Sequence, residues 1–169
     1  KELNVLEMGE IPAPDGPFVV DVIACGICGT DLKAYLHGHR AFTPPTVLGH
    51  EMIGRVARAP EETGYLPGDI VAVAPYGECG VCDLCRMGAG ELCRQKPYFL
   101  KGAFAQQVEV PLGFVDKGVV KLPAPDAAYT LCEPLACVLC GMEKCDIKPE
   151  SRGLIVGGGP MGVLFALVL

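Results

Sequence analysis

Four closely spaced cysteines constrain this chain more than any other feature of its sequence. The segment GECGVCDLCRMGAGELC, residues 77–93, places Cys79, Cys82, Cys85 and Cys93 in the spacing C-x2-C-x2-C-x7-C. Four thiolates satisfy a tetrahedral Zn²⁺ and leave no position for water or substrate. The pattern therefore predicts a closed, structural zinc site, with a four-thiolate iron site as an alternative. Local disulfides are disfavoured, because residues three apart are awkwardly placed for such bonds.

The net charge and the cysteine content limit the classes of protein to which this chain can belong. The 14 Lys and Arg residues are outnumbered by 20 Asp and Glu residues, which gives a net charge of −6. Without a basic run, nucleic acid and anionic membrane are poor partners. The N-terminal segment KELNVLEMGEIPAP lacks the apolar stretch of a signal peptide. We therefore expect a cytoplasmic protein whose ten cysteines serve metal binding or catalysis rather than a disulfide framework.

Short Val- and Ile-rich runs between Gly and Pro residues indicate a β-rich first part. Strands are predicted at 18–25, 53–58, 69–75, 103–111 and 119–123. Residues 126–147 have helical spacing instead, with Pro134 near the start of a helix. The final segment, RGLIVGGGPMGVLFALVL, predicts a short apolar strand, a glycine turn and an apolar helix.

Both ends of the chain suggest part of a longer protein. The chain begins with Lys1 and ends within the apolar run GVLFALVL. The uncharged stretch 153–169 is interrupted by GGGP and is shorter than the ~20 apolar residues of a membrane span. We therefore expect a fragment that does not cross a membrane.

A second set of potential metal ligands lies earlier in the chain. Cys28 occurs in CGICGTD, and His50 occurs in VLGHEMIG with Glu51 beside it. One thiolate, one imidazole and one carboxylate would hold zinc in three positions and leave a fourth open, which is the catalytic arrangement. The pair Cys25 and Cys28 alone is also compatible with a redox motif or half of a zinc ribbon.

The segment GGGPMG, residues 157–162, matches the dinucleotide-binding pattern G-x-G-x-x-G. It follows the strand-like LIV and opens an apolar helix, which is the context that this pattern requires. The backbone N–H groups at such a helix start can hold a pyrophosphate. The candidate cofactor-binding residues are Gly157, Gly159, Pro160, Met161 and Gly162.

Taken together, these motifs resemble the medium-chain zinc-dependent alcohol dehydrogenases, within them the branch of sorbitol and threonine dehydrogenases. The likeness runs through CGICGTDL, VLGHEMIGRV, GYLPGDIVAV, the four-cysteine segment, GAFAQQV, CEPLAC and GGGPMG. The resemblance implies a mainly β fold with some α. A GroES-like β-barrel catalytic domain would span 1–150 and carry a structural-zinc lobe at 77–94. Residues 151–169 would begin a truncated Rossmann domain with its first βα unit.

The resemblance also implies an activity. The chain would belong to an oxidoreductase that moves hydride between a secondary alcohol or polyol, sorbitol- or threonine-like, and NAD or NADP. It would hold two Zn²⁺ per chain and form a homodimer or homotetramer. The 169-residue chain alone is expected to be inactive.

Residue roles follow from the same resemblance. Cys28 and His50 would bind the catalytic zinc, and the carboxylate ligand would be Glu51 or Glu133. Thr30 would take the substrate's proton, and Asp31 would orient the histidine ligand. Cys25 would then be a core or strand-end residue.

The sequence departs from the liver-type pattern in the proton relay. Lys33 stands where many such members carry a histidine. His37 and His39 follow shortly afterwards, either as relay groups or as solvated loop histidines.

Two other classes of protein are compatible with parts of the sequence. Cys132, Cys137 and Cys140 have the plant-type iron–sulfur spacing, with Cys145 as a possible fourth ligand, which would suit an electron-transfer protein. Small buried cysteines on a helix are the simpler interpretation. A zinc-stabilised module without enzymatic activity is the third class.

Overall fold

The fold is built around one antiparallel sheet. The structure is a computed structural model that describes residues 7–39, 42–96, 98–99 and 102–169. Within these residues, five strands form a sheet in the order β6-β1-β2-β3-β7, and two short strands, β4 and β5, pair separately. The strands are β1 Val19–Gly26, β2 Glu51–Arg58, β3 Ile70–Val73, β4 Tyr76–Gly77, β5 Tyr98–Phe99, β6 Gln107–Glu109 and β7 Val119–Leu122.

Helices connect and flank these strands. They are α1 Gly29–His37, α2 Asp83–Arg86, α3 Leu112–Gly118, α4 Cys132–Glu143 and α5 Pro160–Val168. Single 3₁₀ turns occur at Glu61–Thr63, Gly90–Leu92 and Ala127–Leu131. None of the described helices is long and apolar enough to cross a membrane.

β-Branched residues explain why the sheet forms where it does. Val and Ile suit a pleated, half-buried surface, and alternate residues of the strands face one core. That core includes Phe18, Val20, Met52, Val56, Val71, Val73, Val108, Val110, Phe114 and Val115. The expected β-rich first part is therefore confirmed, and each of the five predicted strands overlaps a strand of the sheet.

The pairing of β1 with β2 is irregular near the end of β1. Val22 pairs with Gly54 and Ala24 with Ile53, so Ile23 has no direct partner in this register. Such a bulge bends the strand and increases its twist. It lies just before the segment that carries Cys25 and Cys28.

The chain divides into two compact units, one ending at Thr130 and the other spanning Leu131–Leu169. In the second unit, α4 and α5 pack together, with Val138 fully buried and the Phe165 ring close to Gly141. The family resemblance implies that the cofactor domain begins at residue 151, whereas α4 lies before that point and clusters with α5. The division at residue 150 stays a prediction.

The final segment differs in part from its expected form. The predicted apolar helix is present as α5, and Pro160 occupies its first turn, where a missing N–H costs nothing. Residues 154–156 pair with no strand in the described part of the chain, and Leu154 and Val156 are 88% and 91% exposed. An extended segment becomes a strand only when a neighbour accepts its hydrogen bonds.

Candidate metal centres

The four cysteines of residues 79–93 converge on one point. Cys79 precedes α2 and Cys82 caps it, Cys85 lies within it, and Cys93 follows the turn Gly90–Leu92. Their four sulfur atoms all lie within 4.8 Å of one another. The Sγ atom of Cys85 is 3.4 Å from that of Cys82 and 3.8 Å from that of Cys79.

Backbone amides of the same segment are directed at these sulfurs. The N–H groups of Cys79 and Lys96 donate to the Cys93 Sγ at 3.4 and 3.5 Å, and the N–H of Cys82 donates to the Cys79 Sγ at 3.3 Å. Donors aimed at sulfur favour the thiolate, and they lower the pKa of Cys93 to about 6. For Cys85, removal from solvent and the neighbouring thiol of Cys82 raise the pKa to about 12.

This donor set fits a tetrahedral Zn²⁺. Four convergent sulfurs with no free position match a closed, structural site. None of the ten cysteines forms a disulfide bond in the structure. No disulfide therefore competes with metal binding.

A second group of potential ligands lies beside the sheet. Cys28 immediately precedes α1 with an extended backbone, and Glu51 opens β2 directly after His50. The ligand atoms of Cys28, His50 and Glu51 lie within 4.8 Å of one another, and all three residues are partly buried. One sulfur, one nitrogen and one oxygen make a three-ligand set that leaves a fourth position open.

Asp31 connects the two segments that supply this group. It is 3% exposed, and its two carboxylate oxygens accept from the N–H groups of Cys28 at 2.9 Å and Gly49 at 3.0 Å. The oxygen that faces Gly49 also lies 3.4 Å from Nδ1 of His50. With Nδ1 turned to the carboxylate, Nε2 is the ring nitrogen left for a metal.

Two glycines allow the segments to approach so closely. Gly49 has φ +92°, a left-handed conformation that favours glycine, and a Cβ there would lie 2.6 Å from the Phe104 ring. Gly26 pairs with Glu51 across β1 and β2, and a Cβ on Gly26 would overlap the Glu51 carboxylate.

Cys25 lies near this group but outside it. It packs against the core, and removal from solvent raises its pKa to about 11. The negative charges of Asp31 and Glu51 raise this pKa as well, while the backbone N–H of Glu51 lowers it. The thiol form of Cys25 is therefore favoured.

The remaining residues proposed for the proton relay lie on or after α1. Thr30 is the second residue of α1 and partly buried, and Lys33 is exposed on the same helix. His37 ends the helix and is exposed, whereas the His39 ring packs against Phe42 with 5.0 Å between ring centres.

The cysteines near α4 do not converge. Cys132, Cys137 and Cys140 lie on this helix, and Cys145 follows it. In the described part of the chain, neither group of potential metal ligands includes any of them. A helix spreads such positions around its axis, so the iron–sulfur interpretation is not favoured. Glu133 lies in the first turn of α4 and within 3.8 Å of the Cys137 sulfur.

The glycine motif forms the start of α5. Gly159 caps the helix with an extended backbone. A Cβ on Gly162 would overlap the carbonyl oxygen of Gly157, so the helix packs on its preceding turn without a side chain between them. This close approach is the role that the third glycine of the pattern has in dinucleotide-binding folds.

A known protein family matches the part of the chain that carries these features. The sequence profile of the alcohol dehydrogenase GroES-like domain matches residues 14–124, which include the sheet and both groups of ligands. The chain belongs to the zinc-dependent medium-chain alcohol dehydrogenase family. Its sheet-rich part is thus a GroES-like domain.

Individual members of this dehydrogenase family resemble the chain over nearly its whole length. It is 39% identical to D-altritol 5-dehydrogenase of Agrobacterium fabrum, covering 96% of this chain and 51% of that protein. It is 36% identical to L-threonine 3-dehydrogenase of Pyrococcus abyssi, covering 92% and 46% respectively. The chain therefore spans about half the length of these relatives.

A solved structure shares the fold at similar identity. The crystal structure of a proposed zinc-binding dehydrogenase of Sinorhizobium meliloti 1021, bound to NADP, superposes with a TM-score of 0.77 at 38% identity. The match covers 94% of this chain and 47% of that one.

Sequence reasoning missed two contributions to the group of Cys28, His50 and Glu51. It assigned Asp31 to the histidine alone, although an acidic residue three positions after a helix start is a known capping signal and here binds the N–H of Cys28. It gave Gly26 no role, because nothing local in the sequence reveals which residue faces it across the sheet.

Proposed function

We propose that this chain is part of a zinc-dependent dehydrogenase that moves hydride between a secondary alcohol or polyol and NAD or NADP. The observation that carries the proposal is the three-ligand group of Cys28, His50 and Glu51, which is separate from the four-cysteine cage. The similarity to polyol and threonine dehydrogenases supports this substrate class. The NADP in a similar structure supports the cofactor class.

In this proposal the chain holds two Zn²⁺ with different tasks. Cys79, Cys82, Cys85 and Cys93 bind a structural ion, and Cys28 and His50 bind the catalytic one. Zinc in an open site supplies a Lewis acid that lowers the pKa of a hydroxyl group toward neutrality. Glu51 is the third ligand that the local geometry favours, and Glu133 is the other candidate.

The chain's own residues would prepare and serve this site. Asp31 holds Cys28 and His50 in place through the contacts described above. The hydroxyl group of Thr30 would carry the substrate's proton outward. Gly157 to Gly162, with Pro160 and Met161, would hold the cofactor pyrophosphate at the start of α5.

The wider organisation belongs to the same proposal. Residues 1–150 would form the catalytic domain, with the structural-zinc lobe at 77–94, and residues 151–169 would begin the Rossmann domain. A cytoplasmic location fits ten reduced cysteines. The complete protein would form a homodimer or homotetramer with a small-molecule alcohol as substrate.

Zinc analysis of two variants of the full-length protein tests the assignment. The parent should hold two zinc ions per chain. Cys28→Ser should lose one of them with nearly all activity and keep its fold. Cys82→Ser should be insoluble or heat-labile instead, because structural zinc contributes on the order of 10 kcal/mol to ordering small metal lobes.

Opposite outcomes would overturn the assignment. A Cys82→Ser variant as stable as the parent but inactive would contradict the structural role of the four-cysteine cage. A Cys28→Ser variant with two zinc ions and full turnover would contradict the catalytic role of Cys28. Glu51→Gln and Glu133→Gln, compared for zinc content, identify the carboxylate ligand.

A further inference from the structure

The backbone conformation at Gly26 is one that does not require glycine. Gly26 is the last residue of β1 and lies directly opposite Glu51, the first residue of β2. Its φ lies outside the left-handed region that other glycines of this chain adopt. Alanine could therefore take the same backbone conformation without strain.

The reason that glycine stands at position 26 is instead the neighbouring Glu51 side chain. A Cβ on Gly26 would overlap Oε2 of Glu51 and lie 3.2 Å from its Cβ and 3.4 Å from its Cδ. The Glu51 side chain thus lies across the bare backbone of Gly26. From there its carboxylate comes within 4.8 Å of the ligand atoms of Cys28 and His50.

We propose that Gly26 is a positioning residue for the metal centre. Because Gly26 has no side chain, the Glu51 carboxylate has the space that it needs to reach Cys28 and His50. This inference rests on the proposed catalytic zinc site. The closest overlap is with the far end of a flexible side chain, so a methyl group at Gly26 displaces mainly the carboxylate, while the Glu51 Cβ has to shift by only a few tenths of an ångström. The substitution should weaken metal binding and leave folding intact.

Gly26→Ala and Gly29→Ala form a matched pair for the test. Gly29 follows Cys28 at the start of α1, and a Cβ there would have no neighbour within 4 Å. Zn²⁺ affinity is measured by competition with a chromophoric chelator in the full-length protein. The Cys28→Ser variant shows which of the two metal sites a measured affinity belongs to. Gly26→Ala should bind Zn²⁺ at that site about 10- to 100-fold more weakly, as for lost support of a metal ligand, and Gly29→Ala should match the parent.

Two further readouts separate positioning from a general structural effect. Co²⁺ placed in this site should show a changed visible absorption spectrum in Gly26→Ala and the parental spectrum in Gly29→Ala. In a Cys28→Ser background, which keeps only the structural zinc, the thermal unfolding midpoint should be the same with and without Gly26→Ala within about 2 °C.

The same substitution in a Glu51→Ala background completes the cycle. Glu51→Ala alone should weaken Zn²⁺ binding, and adding Gly26→Ala should then change nothing, because the two residues act through one contact. An equal loss in both backgrounds would overturn the inference, as would parental affinity and an unchanged Co²⁺ spectrum in Gly26→Ala. A parent in which Cys28→Ser removes no metal would overturn the proposed function itself.

Discussion

Removing the Asp31 carboxylate tests how the two ligand segments are held together. In Asp31→Ala the N–H groups of Cys28 and Gly49 lose their acceptor, and the second of these residues is buried. Hydrogen bonds to a charged group contribute about 1.5–3 kcal/mol each. Because burial of the carboxylate has its own desolvation cost, we expect the lower end of the sum, a loss of about 3 kcal/mol in the free energy of unfolding.

The assay is urea denaturation in a Cys28→Ser background, which keeps only the structural zinc, so that lost metal binding at the three-ligand group does not contribute to the difference. The midpoint should fall while the m-value stays the same. Asp31→Asn keeps one acceptor oxygen and should lose about half as much. The control is Asp126→Ala, in which one exposed carboxylate bond to the N–H of Ala128, at 2.9 Å, is removed.

The control should lose only about 0.5–1 kcal/mol, because water replaces the lost acceptor at an exposed site. If Asp31→Ala and Asp126→Ala lost equal stability, Asp31 would not be holding the segments together. The role of its carboxylate would then be confined to His50.

Gly49→Ala should lose about 1–3 kcal/mol more than Gly64→Ala in urea denaturation, because both need a positive φ but only the first methyl group would overlap Phe104. Equal losses would mean that both the Phe104 ring and its backbone nitrogen, which lies 2.8 Å from the same Cβ position, move aside freely. Tyr65→Phe should lose about 1 kcal/mol at pH 8, since the Tyr65 hydroxyl donates to the Val119 carbonyl at 2.6 Å. Burial raises the pKa of Tyr65 above 10, so the parent should lose this advantage as pH rises past 10, and parallel alkaline curves for both proteins would contradict that reasoning.

The strands and the cysteine cage could be predicted because their signals are local. β-Branched runs between Gly and Pro residues identify the strands, and ligand spacing identifies the cage without knowledge of the fold. Helix α3 has no such signal, since its sequence LGFVDKG contains two glycines and a valine. It forms because Phe114 and Val115 are buried in the core, a gain that appears only when the sheet is present.

The three-ligand group was predicted as a set of residue types rather than as a geometry. Cys28 and His50 lie 22 positions apart, and only the pairing of β1 with β2 brings their segments together. The register that sets Gly26 opposite Glu51 depends on the bulge at Ile23, which the residue pattern does not reveal. The extended segment 154–156 was predicted from composition alone, and composition cannot supply a pairing partner.

The locality of the four-cysteine cage bears on the order of events during synthesis. Its outermost ligands are 14 positions apart, whereas Asp21 and Gln107, which join β1 to β6, are 86 positions apart. Closing the longer loop costs about 1.6 kcal/mol more in chain entropy. A growing chain on the ribosome has all four thiols before β6 is made, so the cage can capture its ion while the sheet is still incomplete.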